Sequence, residues 1–260
     1  MIKKHEYLMI IIIVATVSGC VPFYHATMHQ NVPMLKEKGQ GIVGLGADIG
    51  TSKVGAELNA AYAFSNHFAT TANASIAYSD EDNAIELNLF GFGGPYEYIM
   101  VTHQSIGASL GYFTRIKNDH FLFELYSGGA IGNLDFESSI SGHYASTKMT
   151  KYYAQPSFSY CSFIRKKVGF ALAVSARVGA VRYFDISEGI KEELQSQRPL
   201  DLFEPAFTGS IGPFSKVPLK VRFQISRSIP FYGFSPPIEI LNFSVGVFYW
   251  IKPLSERSKQ

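Results

Sequence analysis

Leu219-Lys220-Val221-Arg222-Phe223-Gln224-Ile225-Ser226 alternates apolar and polar residues without a break. A period of two puts Leu219, Val221, Phe223 and Ile225 on one face of a strand. Lys220, Arg222, Gln224 and Ser226 occupy the other face. Apolar residues towards lipid and polar or small ones towards a lumen are what a transmembrane β-barrel strand requires. Working outward, Lys53 to Phe64, His67 to Tyr78 and Gln104 to Arg115 repeat the pattern. So do the segments around Phe121-Tyr126, Ala154-Tyr160, Val168-Gly179 and Leu241-Tyr249, with weaker alternation at Gln40 to Ile49 and Leu202 to Gly212.

The expected fold is therefore all-β: an antiparallel, up-and-down transmembrane β-barrel of about ten strands, with twelve or eight as alternatives. A soluble β-sandwich also alternates, but strands of about 12 residues exceed the usual 5–6. They match the roughly 9–11 that a tilted strand needs to cross a bilayer. Composition agrees, with 14% aromatic and only 17% charged residues, against roughly 25% charged in soluble domains. A net charge of +2 gives no basic surplus for nucleic acid.

Connection lengths set the sidedness. Short polar turns are expected at Ser65-Asn66, Lys117-Asn118-Asp119, Arg165-Lys166 and Pro213 to Lys216, and long connections at 79–101, 135–148 and 185–200. With the short turns periplasmic, both termini are periplasmic. Ala84 to Met100 reads as an outer hairpin or as an extra strand pair.

The N-terminus carries a second message. Lys3 and Lys4 precede an apolar run of 11 residues, Tyr7 to Val17. That is too short for a membrane-spanning helix and suits a signal h-region. Val17-Ser18-Gly19-Cys20 follows, the pattern of a lipoprotein signal. The expected organisation is a signal peptide over 1–19, a lipidated periplasmic tether over 20–38, a barrel over 39–251 and a periplasmic tail over 252–260. Cys20 would carry covalent diacylglycerol and an N-acyl lipid; no other cofactor is expected. Cys161 then has no partner for an intrachain disulfide. Pro22 and Pro33 would keep the tether extended.

Ser244-Val245-Gly246-Val247-Phe248-Tyr249-Trp250-Ile251 resembles the β-signal of outer-membrane barrels, carried by Ser244, Gly246, Tyr249 and Ile251. Nine residues follow it, whereas many barrels end at the signal. The resemblance implies the barrel-assembly machinery as a partner. Asn31-Val32-Pro33-Met34-Leu35-Lys36-Glu37-Lys38-Gly39-Gln40 and Gly55 to Ala63 resemble small lipoprotein barrels of the Bacteroidota, a largely uncharacterised group. Surface-exported lipoproteins of that phylum tend to carry an acidic cluster after the cysteine. Val21-Pro22-Phe23-Tyr24 stands there instead, which implies an anchor in the inner leaflet of the cell outer membrane, facing the periplasm. Lipoprotein-sorting machinery and outer-membrane lipids complete the implied partners.

Asp48, Glu57, Glu124, Arg177, Lys220 and Arg222 fall on the lumen faces. A ten-stranded barrel is narrow, so a paired polar network filling the lumen is expected. That favours a structural or accessory subunit, with a larger outer-membrane protein complex as its candidate partner. A narrow ion or small-solute channel is the alternative. A lipid-modifying enzyme would need a Ser/His/acid set. His143 with Ser139, Ser141, Glu137 and Asp135, and His103 near the outer rim, are the candidates, but no nucleophile motif frames any serine. The expectation is no catalysis. His25, His29, His67 and His120 show no metal-ligand spacing, so no metal is expected. Phe64, Phe68, Phe121 and Tyr249 suit an aromatic girdle at the periplasmic edge and Tyr78 one at the outer edge. Two loop features are candidate partner surfaces. Phe90 to Tyr98 is rich in aromatics and glycine, and a short amphipathic helix over Ser187 to Gln197 carries Ile190 and Leu194, with Ile186 before it.

Overall fold

Alternation fixes a face for every side chain, and antiparallel pairing closes the faces into a tube. The computed structural model describes residues 29–50, 53–79, 99–116, 120–138, 144–164, 168–187, 200–214, 218–231 and 241–251. Its strands are β1 (Gly41–Gly50), β2 (Val54–Ala63), β3 (Phe68–Ser79), β4 (Ile99–Ile116), β5 (Phe121–Ser138), β6 (Tyr144–Ile164), β7 (Val168–Phe184), β8 (Leu200–Phe214), β9 (Leu219–Ser226), β10 (Ile229–Pro230) and β11 (Asn242–Ile251). Neighbours pair antiparallel from β1 to β8. The β8–β9, β9–β11 and β11–β1 ladders close the ring.

β9 and β10 form a single stave. Ser226 pairs with Ala206 and Ile229 with Phe203, so the register continues across Arg227-Ser228. The ladder is interrupted opposite Pro205, which has no N–H to give. The ring is thus a closed barrel of ten antiparallel staves. Among the described residues no helix is long and apolar enough to cross a membrane; crossing falls to the strands.

The outer surface is apolar. Leu45, Leu110, Val174 and Ile106 are each more than 60% exposed, a surface that water would not tolerate over so many staves and lipid would. Rings gather at the end where the chain enters β1 and leaves β11. Phe64 and Phe68 lie 6.5 Å apart, Phe68 and Tyr112 5.8 Å, and Phe121 lies 5.7 Å from Phe158 and 5.2 Å from Tyr160. This belt of aromatics marks one interface. His67 and His120 sit in it, with Nδ1 3.3 Å from the Phe113 carbonyl and 3.0 Å from the Cys161 carbonyl. All four strand-to-strand connections at this end are of three or four residues, and in outer-membrane barrels the uniformly short connections face the periplasm.

The wall is uneven. β4, β5, β6 and β7 run 17 to 21 residues, while β1, β2 and β11 run 10 each. Much of 135–148, expected as a connection, is therefore strand. Pairing continues there after the alternation fades: Thr147, Lys148, Asp135 and Asn133 are polar on both faces, as suits staves that have left the hydrocarbon. Of Ala84 to Met100 only Ile99 and Met100 are described, both in β4; the rest, with Phe90 to Tyr98, lies outside the described residues. So do residues 188–197, 1–28 and 252–260.

Residues 29–35, expected in the periplasmic tether, lie inside the barrel and are all buried. The reason is space. Gly44, Gly46 and Gly111 stand at lumen-facing positions, and a Cβ at Gly111 would lie 2.2 Å from the Tyr126 ring. Gly44 and Gly111 admit the inward-facing rings of Phe248 and Tyr126, against which the inserted chain packs Val32, Met34 and Leu35. The chain then turns at Glu37-Lys38-Gly39, where Gly39 takes a φ of 82° and its N–H meets the Ala63 carbonyl at 2.8 Å, and enters β1.

Leu110→Arg should lower stability by about 2–4 kcal/mol, the cost of a cation near the bilayer midplane, read from urea unfolding in lipid vesicles. Gly111→Val should abolish the heat-modifiable folded band on gels, and Tyr126→Ser in the same chain should restore it.

Candidate functional site

The lumen has three layers. At the short-turn end Val32, Met34 and Leu35 of the inserted segment pack with Ile42, Ala63, Phe113, Leu122, Tyr126 and Phe248. At the opposite end Leu134, Met149, Val181 and Leu202 form a second apolar cluster against the tall wall. Between them lies a polar layer.

The inserted segment is held mainly by that polar layer. Gln30 uses every polar group it has. Its N–H donates to Gln224 Oε1 at 2.8 Å, and its carbonyl accepts from Gln224 Nε2 at 3.0 Å. Its side chain accepts from Ser175 Oγ at 2.8 Å and donates to the Glu204 carbonyl. Asn31 Nδ2 donates to the Ala60 carbonyl at 3.0 Å, and Gln155 Nε2 donates to the Asn31 carbonyl at 2.9 Å. Met34 adopts a left-handed φ of 58°, and its N–H donates to Glu124 Oε2 at 3.2 Å. His29 Nδ1 sits 2.5 Å from Ser244 Oγ and 3.2 Å from Glu57 Oε1.

All six lumen charges expected from the sequence are buried in this interior. Glu57 lies in the field of Asp48 and Arg222, and Arg222 and Lys220 in that of Glu124. Glu124 holds the Met34 amide and the Tyr126 hydroxyl, the latter at 3.2 Å. Arg177 donates to Gln155 Oε1 at 2.9 Å and to the His29 carbonyl at 3.3 Å, with its guanidinium 4.4 Å from the centre of the Tyr153 ring. Lys220 lies 3.5 Å over the Trp250 ring and Arg222 4.3 Å over the Phe248 ring. Trp250 therefore faces inward. A deeply buried ion pair joins Lys151 and Glu204, at 2.7 and 2.8 Å, with Arg177 Nη1 3.7 Å from the same carboxylate. Sequence reasoning missed this pair, and missed Gln30, Gln155 and Gln224 as plug contacts. The alternation already placed Gln155 and Gln224 on inner faces; nothing in it said what they would touch.

His29, Asp48 and Glu57 each offer a ligand atom within 4.8 Å of the others, so a metal ion could be held there. Lys53 and Arg222 offset the charge of Glu57, and Lys53 that of Asp48; with Arg177 they also act on the buried His29, so the cluster reads as the contact between plug and wall. The hydrolase candidates are not brought together in the described residues. His103 is buried facing the lumen, Asp135 accepts from the Tyr144 hydroxyl at 2.7 Å, and Glu137 is exposed. His143, Ser139 and Ser141 lie outside the described residues, as do Cys20 and His25. Of the assembly-signal positions, Ser244 points to His29, Tyr249 faces outward and Gly246 lies against the Leu45 carbonyl, 2.8 Å from where its Cβ would be.

No protein-family model and no curated protein matches the chain. Solved structures do. The translocator domain of autotransporter NalP from Neisseria meningitidis is 10% identical, over 81% of this chain and 87% of that one, with a TM-score of 0.41. An outer membrane channel from Pseudomonas putida is 11% identical, over 85% and 100%, at 0.40. The NanC porin is 8% identical, over 82% and 99%, at 0.36. No residue role passes from any of them to this chain.

Glu204→Ala should cost about 3–5 kcal/mol, because Lys151 loses its buried carboxylate partner. Lys151→Met with Glu204→Met removes both charges and should recover most of that loss in the same urea titration.

Proposed function

We propose that this protein is an outer-membrane β-barrel lipoprotein, sealed by its own residues 29–35, that serves as a structural or accessory element of the envelope. The observation that carries the reading is the plug. A conducting barrel keeps an open polar path. Here an apolar layer at each end brackets a polar layer whose side chains are bonded to the inserted segment. A buried seal of this kind suits a barrel that holds a position in the membrane and presents its outer rim to partners. The β-signal resemblance supports assembly into the outer membrane, and the Lys3-Lys4, apolar run and Cys20 sequence supports lipidation. Catalysis has no assembled residue set to support it among the described residues.

Planar-bilayer recording tests the seal. The wild type should be silent across the voltage range. Gln30→Ala with Gln224→Ala removes the clasp on the plug, and this double variant should show intermittent conductance steps. Steady conductance in the wild type would favour the narrow-channel reading.

Lipidation is tested separately. Cys20→Ala behind an ordinary signal peptide should still give an inserted, heat-modifiable barrel, because the staves alone hold it in the bilayer. A wholly soluble product would contradict the barrel reading.

A further inference from the structure

The plug has a direction. Leu35 lies in the apolar layer at the short-turn end, and Met34 meets Glu124, three residues into β5 from that end. Asn31 meets Gln155, nine residues from the short-turn end of β6 and so higher up. His29 meets Glu57 and Ser244, near the far ends of β2 and β11. From Leu35 back to His29, the chain climbs away from the short turns. Preceding residues therefore start from a point near the far mouth of the barrel.

The way back is closed. A return to the short-turn end would have to run beside residues 30–35. The interior there is filled: Phe113, Leu122, Tyr126 and Phe248 are at most 1% exposed, and Gln155, Gln224 and Glu124 are already bonded to the plug. The way out is short. His29 stands against the low wall of β1, β2 and β11. β2 begins at Val54, three residues beyond Glu57, so this wall ends roughly 10 Å above the His29 contact. Cys20 to Met28 can span about 30 Å when extended. That is enough to clear the low rim and come down on the membrane surface outside it. The tall wall of β4 to β7 blocks the other side, with Leu134, Met149 and Val181 buried on its inner face.

We propose that the N-terminal segment threads outward through the far mouth of the barrel, so that the acyl chains on Cys20 insert in the outer leaflet and residues 21–28 are displayed on the cell surface. This rests on the outer-membrane lipoprotein reading above. It puts the lipid on the side opposite to the one implied by the residues after Cys20. The barrel then holds its own lipidated terminus across the membrane: acyl chains outside, staves between, C-terminal tail in the periplasm.

The full chain supplies the test. Apart from Cys20, whose thiol the lipid would occupy, the only cysteine is the buried Cys161. Tyr24→Cys, Ala26→Cys and, in the C-terminal tail, Ser255→Cys are expressed singly and treated with a membrane-impermeant maleimide, on intact cells and after permeabilisation. At least one of the two N-terminal cysteines should label on intact cells, and Ser255→Cys only after permeabilisation. N-terminal labelling only after permeabilisation, or only after denaturation, overturns the proposal. So does labelling of Ser255→Cys on intact cells. Failure of the underlying reading shows differently: loss of the heat-modifiable band if there is no barrel, and an unmodified mass for the N-terminal peptide if there is no lipid.

Discussion

A narrow barrel has to fill its interior, and this one does so with its own chain. The inner side chains of the ten staves leave room for one further stretch of chain, and residues 29–35 lie buried there. Empty polar space inside a protein is costly: each buried N–H, carbonyl or amide left without a partner loses about 1–3 kcal/mol. The segment from His29 to Leu35 meets that constraint twice. Its backbone and polar side chains give Gln155, Ser175 and Gln224 something to bond. Its Val32, Met34 and Leu35 close the short-turn end with an apolar layer. Assembly follows from this. The staves cannot close in the observed register around an empty lumen without stranding those amides, so plug and wall are parts of one folding unit.

The charges follow the same logic. Lys151 and Glu204 pair at hydrogen-bond distance with both side chains almost fully buried. Arg222 and Lys220 rest on aromatic faces, a partner that suits a cation where hydration is lost. Glu124 bonds a backbone amide of the plug and lies in the field of Arg222. The interior is thus not a zipper of salt bridges across the lumen. It is a set of local solutions, several of which require the plug to be present.

Much of the wall was legible in the sequence. Leu219 to Ser226 reads as a strand because lipid on one side and a lumen on the other impose a strict period of two. The six lumen charges were placed on inner faces by the same rule. Legibility ended where that physics ended. β5 and β6 leave the hydrocarbon near Gly132 and Thr150, so the outer face need not be apolar and the period fades although pairing goes on. The plug left no periodic trace either. Asn31-Val32-Pro33-Met34-Leu35 is too short to show one, and its apolar members read equally well as part of a tether. The Lys151–Glu204 pair joins residues 53 apart in sequence, a juxtaposition set by the register of β6 and β8 on either side of β7.

The claim on which everything else rests is that residues 29–35 occupy the lumen. Gln30 and Ser175 are in contact across it, 2.8 Å apart through their side chains. The most direct measurement is cross-linking of Gln30→Cys to Ser175→Cys by a short bifunctional methanethiosulfonate in the membrane-embedded protein, which replaces the reach lost with the glutamine side chain and is read as a reducible mobility shift on denaturing gels. A cross-link that forms in high yield is the predicted result. No cross-link, together with rapid alkylation of the residue-30 cysteine by a water-soluble maleimide in the folded protein, would contradict a plugged lumen.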